Sequence, residues 1–412
     1  MRKDSLIKLL ATVAVIIGLF AVYVSPLARS IRQGLDLQGG THVVLEAEDT
    51  EQAKVNEDAM MRVVRIMEKR VNELGLTEPI IQRQGERRII IELPGIKEPD
   101  KAIAVIGKTA MLEFKDETGK TVLTGTDLKE AKEQTDNNNQ NVVSLEFSDE
   151  GGKKFAELTA QNVGKQIAIL LDGEVLTAPR VNEAITGGRA VITGHRSLEE
   201  AHNLAILLRS GSLPVKMNII ETRTVGPTLG QDSKDKSVFA FTIGIAAVLV
   251  FMILFYRLSG LIADISLMAY VLLLLASLKF LDATLTLPGV AGIILSIGMA
   301  VDANVLIFEH FKEEYQKGKT LRLSMDAGFK RAFTTIFDSN TTTIIAAFIL
   351  FMFGTGSIRG FAITLGLGVV LSMITAVSLS QFLMKTLIGA NIFHSPFIFG
   401  AKEYVKEVTK NA

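Results

Sequence analysis

The chain has no cysteine and no tryptophan, and only five histidines among its 412 residues. Without cysteine there are no disulfides and no thiolate metal sites, so any exported portion must hold together by its own apolar core. The histidines, His42, His195, His202, His310 and His394, are scattered without ligand spacing, and no metal site is expected. Net charge is missing too: 44 basic residues balance 44 acidic ones, and nothing in that balance points to nucleic acid. The lack of tryptophan leaves any interfacial aromatic belt to residues such as Tyr23, Tyr256 and Tyr270. Catalytic signatures are lacking as well. No Ser-His-Asp or Cys-His set sits in a recognisable motif, and Asp172-Gly173 reads as a turn. The glycine-rich GLDLQGG at 34–40 lacks the Gly-Lys-Ser/Thr ending of a phosphate-binding loop. Neither a cofactor nor an enzymatic activity is expected.

What charge there is crowds between about Arg29 and Lys236, and the second half supplies long apolar runs. That distribution reads as a membrane protein with one large aqueous domain. Arg2, Lys3 and Lys8 flank the start of an apolar run at 6–24. A signal peptide would share that basic start. The run is longer than a usual signal core, however, and Ser25-Pro26-Leu27-Ala28 is a poor cleavage site, so 1–25 is read as an uncleaved first transmembrane helix. Apolar runs at 237–256, 258–281, 287–308, 332–353 and 358–383 place five more spans within 233–400. Six spans put both termini on one side. Lys312, Lys317, Lys319, Arg322, Lys330 and Arg331 mark the loop 309–331, and with it the tail 401–412, as cytoplasmic. The region 26–232 then lies on the outer face of the cytoplasmic membrane.

The run 287–308, LPGVAGIILSIGMAVDANVLIF, carries the chemistry. Asp302 is the only carboxylate read as lying deep in an apolar run, where it is costly unless protonated, paired or facing a polar cavity. Asn304 adds a second polar group. Gly292, Ser296, Ala300 and Asn304 recur at i+4, a small-residue stripe for close helix approach, and Gly298 and Asp302 fall on the adjacent row. That places the carboxylate beside a packed seam, either as a structural acid or as part of an ion pathway. Gly360, Thr364, Gly368, Ser372, Ala376 and Ser380 form a second such stripe in the last span. DSNTTT at 338–343 brings Asp338 and Thr342 into the fifth span, where they either reach the interface or join Asp302 and Asn304 in a polar path.

The outer region reads as mixed α/β. A strand at 41–48, a helix at 52–74 stopped by Gly75, a hairpin of 79–84 and 87–93, a short helix at 99–107 and a strand at 110–115 give the β-α-β-β-α-β order of a ferredoxin-like fold. Residues 26–115 are thus the first part of a base, and 116–195 an inserted head with strands at 142–147 and 166–171 and a helix near 151–163. The second part, 196–232, supplies a helix capped by Ser197 with Glu200 at its third position, a strand at 215–224 and a connector. In that connector Gly226 and Gly230 bracket Pro227, as an ordinary loop or as a hinge. The fold class is a helical membrane protein of six transmembrane helices with a large exported α+β domain, a ferredoxin-like base carrying an inserted head.

Four segments, GLDLQGGTHVVLE at 34–46, RRIIIELPG at 87–95, TVGPTLG at 224–230 and GMAVDANVLIFE at 298–309, make the chain resemble the SecD family of protein-export membrane proteins. The resemblance spans nearly the whole sequence. It implies a relative of the RND superfamily that works with SecF beside the SecYEG channel on a translocating polypeptide, embedded in membrane lipid, with proton flow moving the outer domain. It implies that Asp302, in the VDAN motif, belongs to the proton path, and that an Asp and an Arg of the path lie in SecF, expected here as a separate chain. One charge crossing the membrane releases about 2.3 kcal/mol per 100 mV, enough to bias such a movement. Two other readings remain open, a non-transporting polypeptide-binding assembly factor and an RND-type exporter of small hydrophobic molecules. The exporter would need a doubled set of spans in one chain and a ligand-lined cavity.

Overall fold

The computed structural model describes residues 3–49, 53–75, 79–96, 98–136, 139–390 and 396–399. The polar tail at 401–412 and the first two residues lie outside the described residues. The chain divides into two units, Gly39–Pro227 and the remainder, Met1–Gln38 with Thr228–Ala412.

The chain opens with α1 (Lys3–Ser30), which runs straight through Pro26 and so extends past the expected boundary at 25. A single turn, α2 (Leu35–Gln38), follows. The second unit starts with β1 (Gly40–Glu48), α3 (Glu57–Glu73), the hairpin β2 (Ile80–Gln84) and β3 (Arg88–Pro94), and α4 (Pro99–Ile106). Asn56 caps α3 by accepting the Ala59 N–H at 2.7 Å, and Pro99 opens α4, where its missing N–H costs nothing. Next come β4 (Leu112–Lys115), β5 (Thr121–Thr124), β6 (Leu128–Thr135), β7 (Asn141–Phe147), α5 (Asp149–Gln161), β8 (Ala168–Leu171), β9 (Glu174–Thr177), β10 (Arg189–His195) and α6 (Leu198–Ser210). The unit closes with β11 (Lys216–Val225).

The base sheet has the antiparallel order β11-β1-β3-β2, with Val43, Leu45, Ile89, Ile91 and Leu93 packed on Met60, Val63 and Met67 of α3. Numbered within the base alone, that order is 4-1-3-2, the ferredoxin-like arrangement, but its fourth strand is β11. The strand expected at 110–115 to complete the base, β4, instead pairs with β5 and β8. The cause is apolar complementarity. Leu112 and Phe114 of β4 bury into the same core as Phe147 and Phe155, whose rings lie 5.6 and 6.1 Å from that of Phe114. Helix α6, expected in the base, likewise buries Ala201, Leu204, Ala205 and Leu208 in that core. The head therefore has two sheets, β10-β7-β6 and β5-β4-β8-β9, with α5 and α6, and it begins earlier and ends later than the expected 116–195.

One buried arginine ties both crossings between base and head. Arg70 of α3 has no exposed surface and donates to Val105 O at 3.3 Å, Ile106 O at 3.0 Å, Lys108 O and Thr109 O at 3.3 Å on the outgoing crossing. On the returning crossing it donates to Ser210 Oγ at 3.1 Å and Gly211 O at 3.0 Å. Burial pushes its pKa down and Asp172 partly offsets that, leaving it at about 10, so it stays cationic at neutral pH.

At the end of the unit Gly40 pairs with Val225, and Gly39, at φ +74°, sits so close to Pro227 that an added Cβ would lie 2.9 Å from the proline Cα. The Gly-Gly pair of the GLDLQGG segment thus serves backbone contact rather than phosphate binding. The expected connector at 225–230 is almost absent, because the following helix begins at Pro227 itself.

That helix, α7 (Pro227–Phe280), is 54 residues long and is broken at Arg257, whose φ of 52° and ψ of −120° are non-helical. A Cβ on Gly260 would fall 2.0 Å from Met252 O, so the chain folds back there into two antiparallel passes. Then come α8 (Leu287–Gln316), α9 (Leu321–Phe353) and α10 (Gly356–Ile374), which continues through a π-helical turn, Thr375–Leu379, into α11 (Ser380–Ala390). With α7 counted as two, six apolar passes are present among the described residues. Helices α8 and α9 extend well beyond their apolar stretches, and the basic loop shrinks to 317–320, where Glu314 is paired with Lys317 and Lys319.

Candidate functional site: an open acidic cleft in the membrane helices

The two small-residue stripes face each other. An added Cβ on Gly292 would lie 2.5 Å from Thr364 Oγ1, and one on Gly368 would lie 2.5 Å from Ser296. The backbones of α8 and α10 approach as closely as glycine allows. Tyr270, fully buried on the second pass of α7, donates its hydroxyl to Ser296 Oγ at 2.6 Å and pins the third helix to the seam.

Asn304 continues this stripe. It is buried, its amide donates to Ala300 O at 3.1 Å, and its Oδ1 has no partner among the described residues. Eight residues beyond the Ser296–Gly368 contact along each stripe, it comes level with Ala376 inside the π-helical turn, a device that recurs at functional positions.

Asp302 lies two residues from Asn304, about 200° around the helix, and faces elsewhere. It lines a cleft of about 170 Å³ formed with Met299 and Leu306 of α8 and with Thr335, Ser339, Asn340 and Thr343 of α9. The α9 residues recur at three and four positions, so one face of that helix supplies three hydroxyls and a buried amide. Asp302 itself is exposed, and nothing would crowd a Cβ on Gly298 one turn before it. The expectation that the carboxylate lies beside a packed seam is therefore corrected: the seam takes up the Asn304 side, and the Asp302 row is open. The cleft lining contains no cation.

The four expected path residues do not converge. Asp302 is in the cleft and Asn304 in the seam, while Asp338 and Thr342 are exposed on the neighbouring face of α9 and line no part of the cleft. Of the DSNTTT segment the cleft takes Ser339, Asn340 and Thr343. A helical period anchored on buried Ile336 and Asn340 selects 335, 339 and 343, but only packing against α8 shows that this face lines a cleft.

The helices hold a second carboxylate that the run pattern does not single out. Asp264, on the second pass of α7, is only 4% exposed and neither oxygen has a partner among the described residues. Asp302 is therefore not the only acid deep in the helices. Asp264 lies near the start of its apolar run, and run length alone does not show which end is covered by neighbours.

Among the described residues no three His, Asp or Glu side chains converge. A lone carboxylate flanked by hydroxyls and an amide can take up and release a proton, and it presents no nucleophile poised by a base.

The chain is thus a bundle of paired small-residue stripes with an acid in an open cleft, interrupted after its first helix by a ferredoxin-like base and a two-sheet head. Family models match along the chain: the SecD/SecF GG motif at 27–51, the N-terminal P1 domain of protein translocase subunit SecDF at 60–119, the SecDF P1 head subdomain at 108–215 and the C-terminal region of protein export membrane protein SecD/SecF at 209–390. The chain is 63% identical over 404 residues to protein translocase subunit SecD of Acidaminococcus fermentans, covering 98% of this chain and 97% of that protein. It is 52% identical to the SecD of Dictyoglomus turgidum, covering 93% and 96%. A crystal structure of SecDF from Thermus thermophilus, described as a translocon-associated membrane protein, superposes with a TM-score of 0.64 at 39% identity. That match covers 96% of this chain, which spans 60% of the SecDF chain. The chain belongs to the SecD family, the auxiliary membrane subunits of the Sec protein translocase.

Proposed function

We propose that the chain uses the proton-motive force, together with SecF as a separate chain beside the SecYEG channel, to drive or complete polypeptide export. In this reading Asp302 is the group that loads and releases the proton. The termini are cytoplasmic, and Gly39–Pro227 works on the outer face of the cytoplasmic membrane.

The observation that carries the reading is the openness of the Asp302 cleft. A carboxylate facing lipid at that depth would be heavily penalised, so its open side calls for a polar partner surface. The cleft holds hydroxyls and an amide that can pass a proton but no counter-charge, which a second subunit would supply. Such a cation would draw the proton off and its withdrawal would restore it, the alternation that a carrier needs.

Asp302→Asn keeps the shape and hydrogen-bonding capacity while removing ionisation. In vesicles containing the channel, SecF and this chain, the variant should insert and assemble but lose the part of export that an uncoupler abolishes, while ATP-driven export persists. Full uncoupler-sensitive stimulation by the variant would make Asp302 a structural acid.

A further inference from the structure

A second cavity of the membrane unit lies away from the Asp302 cleft. It has a volume of about 530 Å³ and is walled by Phe20 of α1, Phe241 and Leu249 of the first pass of α7, Val271 and Leu275 of the second pass, and Ile293 of α8. Both Lys234 and Leu249 line it, so it follows roughly 22 Å of helix, more than one leaflet's share of a ~30 Å hydrocarbon core. Its walls are aliphatic and aromatic, and its rim carries Arg29 and Lys234. Both cations lie near the points where the chain leaves the membrane helices and returns to them.

The charges around that rim are otherwise matched. Arg32 pairs with Asp282 at 2.8 Å and Lys236 with Asp232 at 2.8 Å, while the carboxylate of Asp235 is hydrogen-bonded by the neutral Gln231 amide at 2.9 Å. Arg29 and Lys234 alone on that rim have neither an ion pair nor a hydrogen bond among the described residues. We propose that this cavity is a binding site for an anionic phospholipid, with the phosphate between Arg29 and Lys234 and one acyl chain along the apolar wall. A polybasic contact of this kind favours an anionic headgroup by roughly fivefold for each cation. Asp264 borders the same cavity, but its oxygens are sealed in the packing. A cationic amphiphile would have to pass two like charges to reach a carboxylate it cannot touch, and that excludes the opposite ligand class.

The absence of tryptophan provides the test. Phe241→Trp places a single fluorescent reporter in the cavity wall, and Phe348→Trp, at a position 62% exposed on α9, reports bulk lipid. The full chain is reconstituted in bilayers containing phosphatidylcholine or phosphatidylglycerol with brominated acyl chains. The reporter at position 241 should be half-quenched at about 25-fold less brominated phosphatidylglycerol than brominated phosphatidylcholine, while the reporter at 348 shows less than a twofold difference. The double substitution R29Q/K234Q should bring the first ratio down to the second, and excess inorganic phosphate should leave it unchanged. Native mass spectrometry of the unsubstituted chain should show one retained phosphatidylglycerol, lost in R29Q/K234Q, which guards against a reporter that disturbs the wall. Equal quenching by the two lipids at position 241, or loss of the preference on adding inorganic phosphate, would overturn the proposal.

Discussion

Replacing Arg70 by methionine keeps an unbranched apolar stem of similar reach and removes the guanidinium that holds both crossings. Of the carbonyls it serves, Thr109 O also accepts the Leu213 N–H at 2.8 Å and would stay satisfied. Val105 O and Ile106 O belong to the last turn of α4 and have no helical donor. With Lys108 O and Gly211 O they would be left in a dry or poorly hydrated pocket at ~1 kcal/mol or more apiece, so the expected loss is about 3–5 kcal/mol. A domain commonly has 5–15 kcal/mol in hand, so the unit should still fold but open first where the crossings run. Urea unfolding of the full chain in detergent gives the size of the loss, and limited proteolysis gives its place, with new cleavage between 105 and 112. Arg70→Lys should fall between, since an ammonium has three donors and no planar fork. A loss below about 1 kcal/mol for Arg70→Met, with an unchanged cleavage map, would show that water replaces the guanidinium and that the crossings are held by the sheets alone.

Three further outcomes are expected. Cysteines introduced at Glu174 and at Gln316, into a chain that has none, should react with an impermeant thiol reagent from opposite sides of the membrane, and labelling from one side would reject the proposed topology. Gly368→Leu should lower the thermal midpoint in detergent far more than Tyr270→Phe, because the former drives a side chain into Ser296 and the latter removes one hydrogen bond worth about 1 kcal/mol; equal effects would mean that the seam has room. Burial pushes the Asp127 carboxyl up, but Lys154 at 2.8 Å and the Thr124 N–H at 3.0 Å outweigh it and hold it below its ordinary 3.8. With a folded pKa below the unfolded one, its contribution is complete above that range and fades as pH falls through it. The stability gap between the natural chain and Asp127→Asn should therefore close below about pH 4, and a gap independent of pH would refute the assignment.

The helices and their close-packing stripes were legible because they are written in local periodicity. Gly292 meets Thr364 and Ser296 meets Gly368 as their spacing implies. The fold-back at Arg257 was legible too, as a break between two apolar runs. What local pattern does not encode is which of two equivalent surfaces an element chooses. The strand at Leu112–Lys115 satisfies a ferredoxin-like order as well as β11 does, and only the phenylalanine cluster around Phe114 decides where it pairs. The same ambiguity hid Thr335, Ser339 and Asn340, since a helix face becomes a site only when another helix supplies its opposite wall. Asp264 was hidden for a third reason, that depth along a run and depth within a bundle are different quantities.

The pairing of Gly40 with Val225 and the seating of Gly39 on Pro227 bring the two ends of the second unit side by side. A module whose entry and exit are adjacent can be accommodated in a pre-existing helical hairpin loop without stretching its neighbours, as domain insertions generally are. A chain permuted to begin in the Gly173 turn, with its old ends joined through a few residues, should therefore fold to the same sheets. By the same geometry a force applied at Gly40 and Val225 would peel the β1–β11 ladder one residue pair at a time rather than shear it all at once, so the antiparallel ladder at the root of this module is its mechanical weak point.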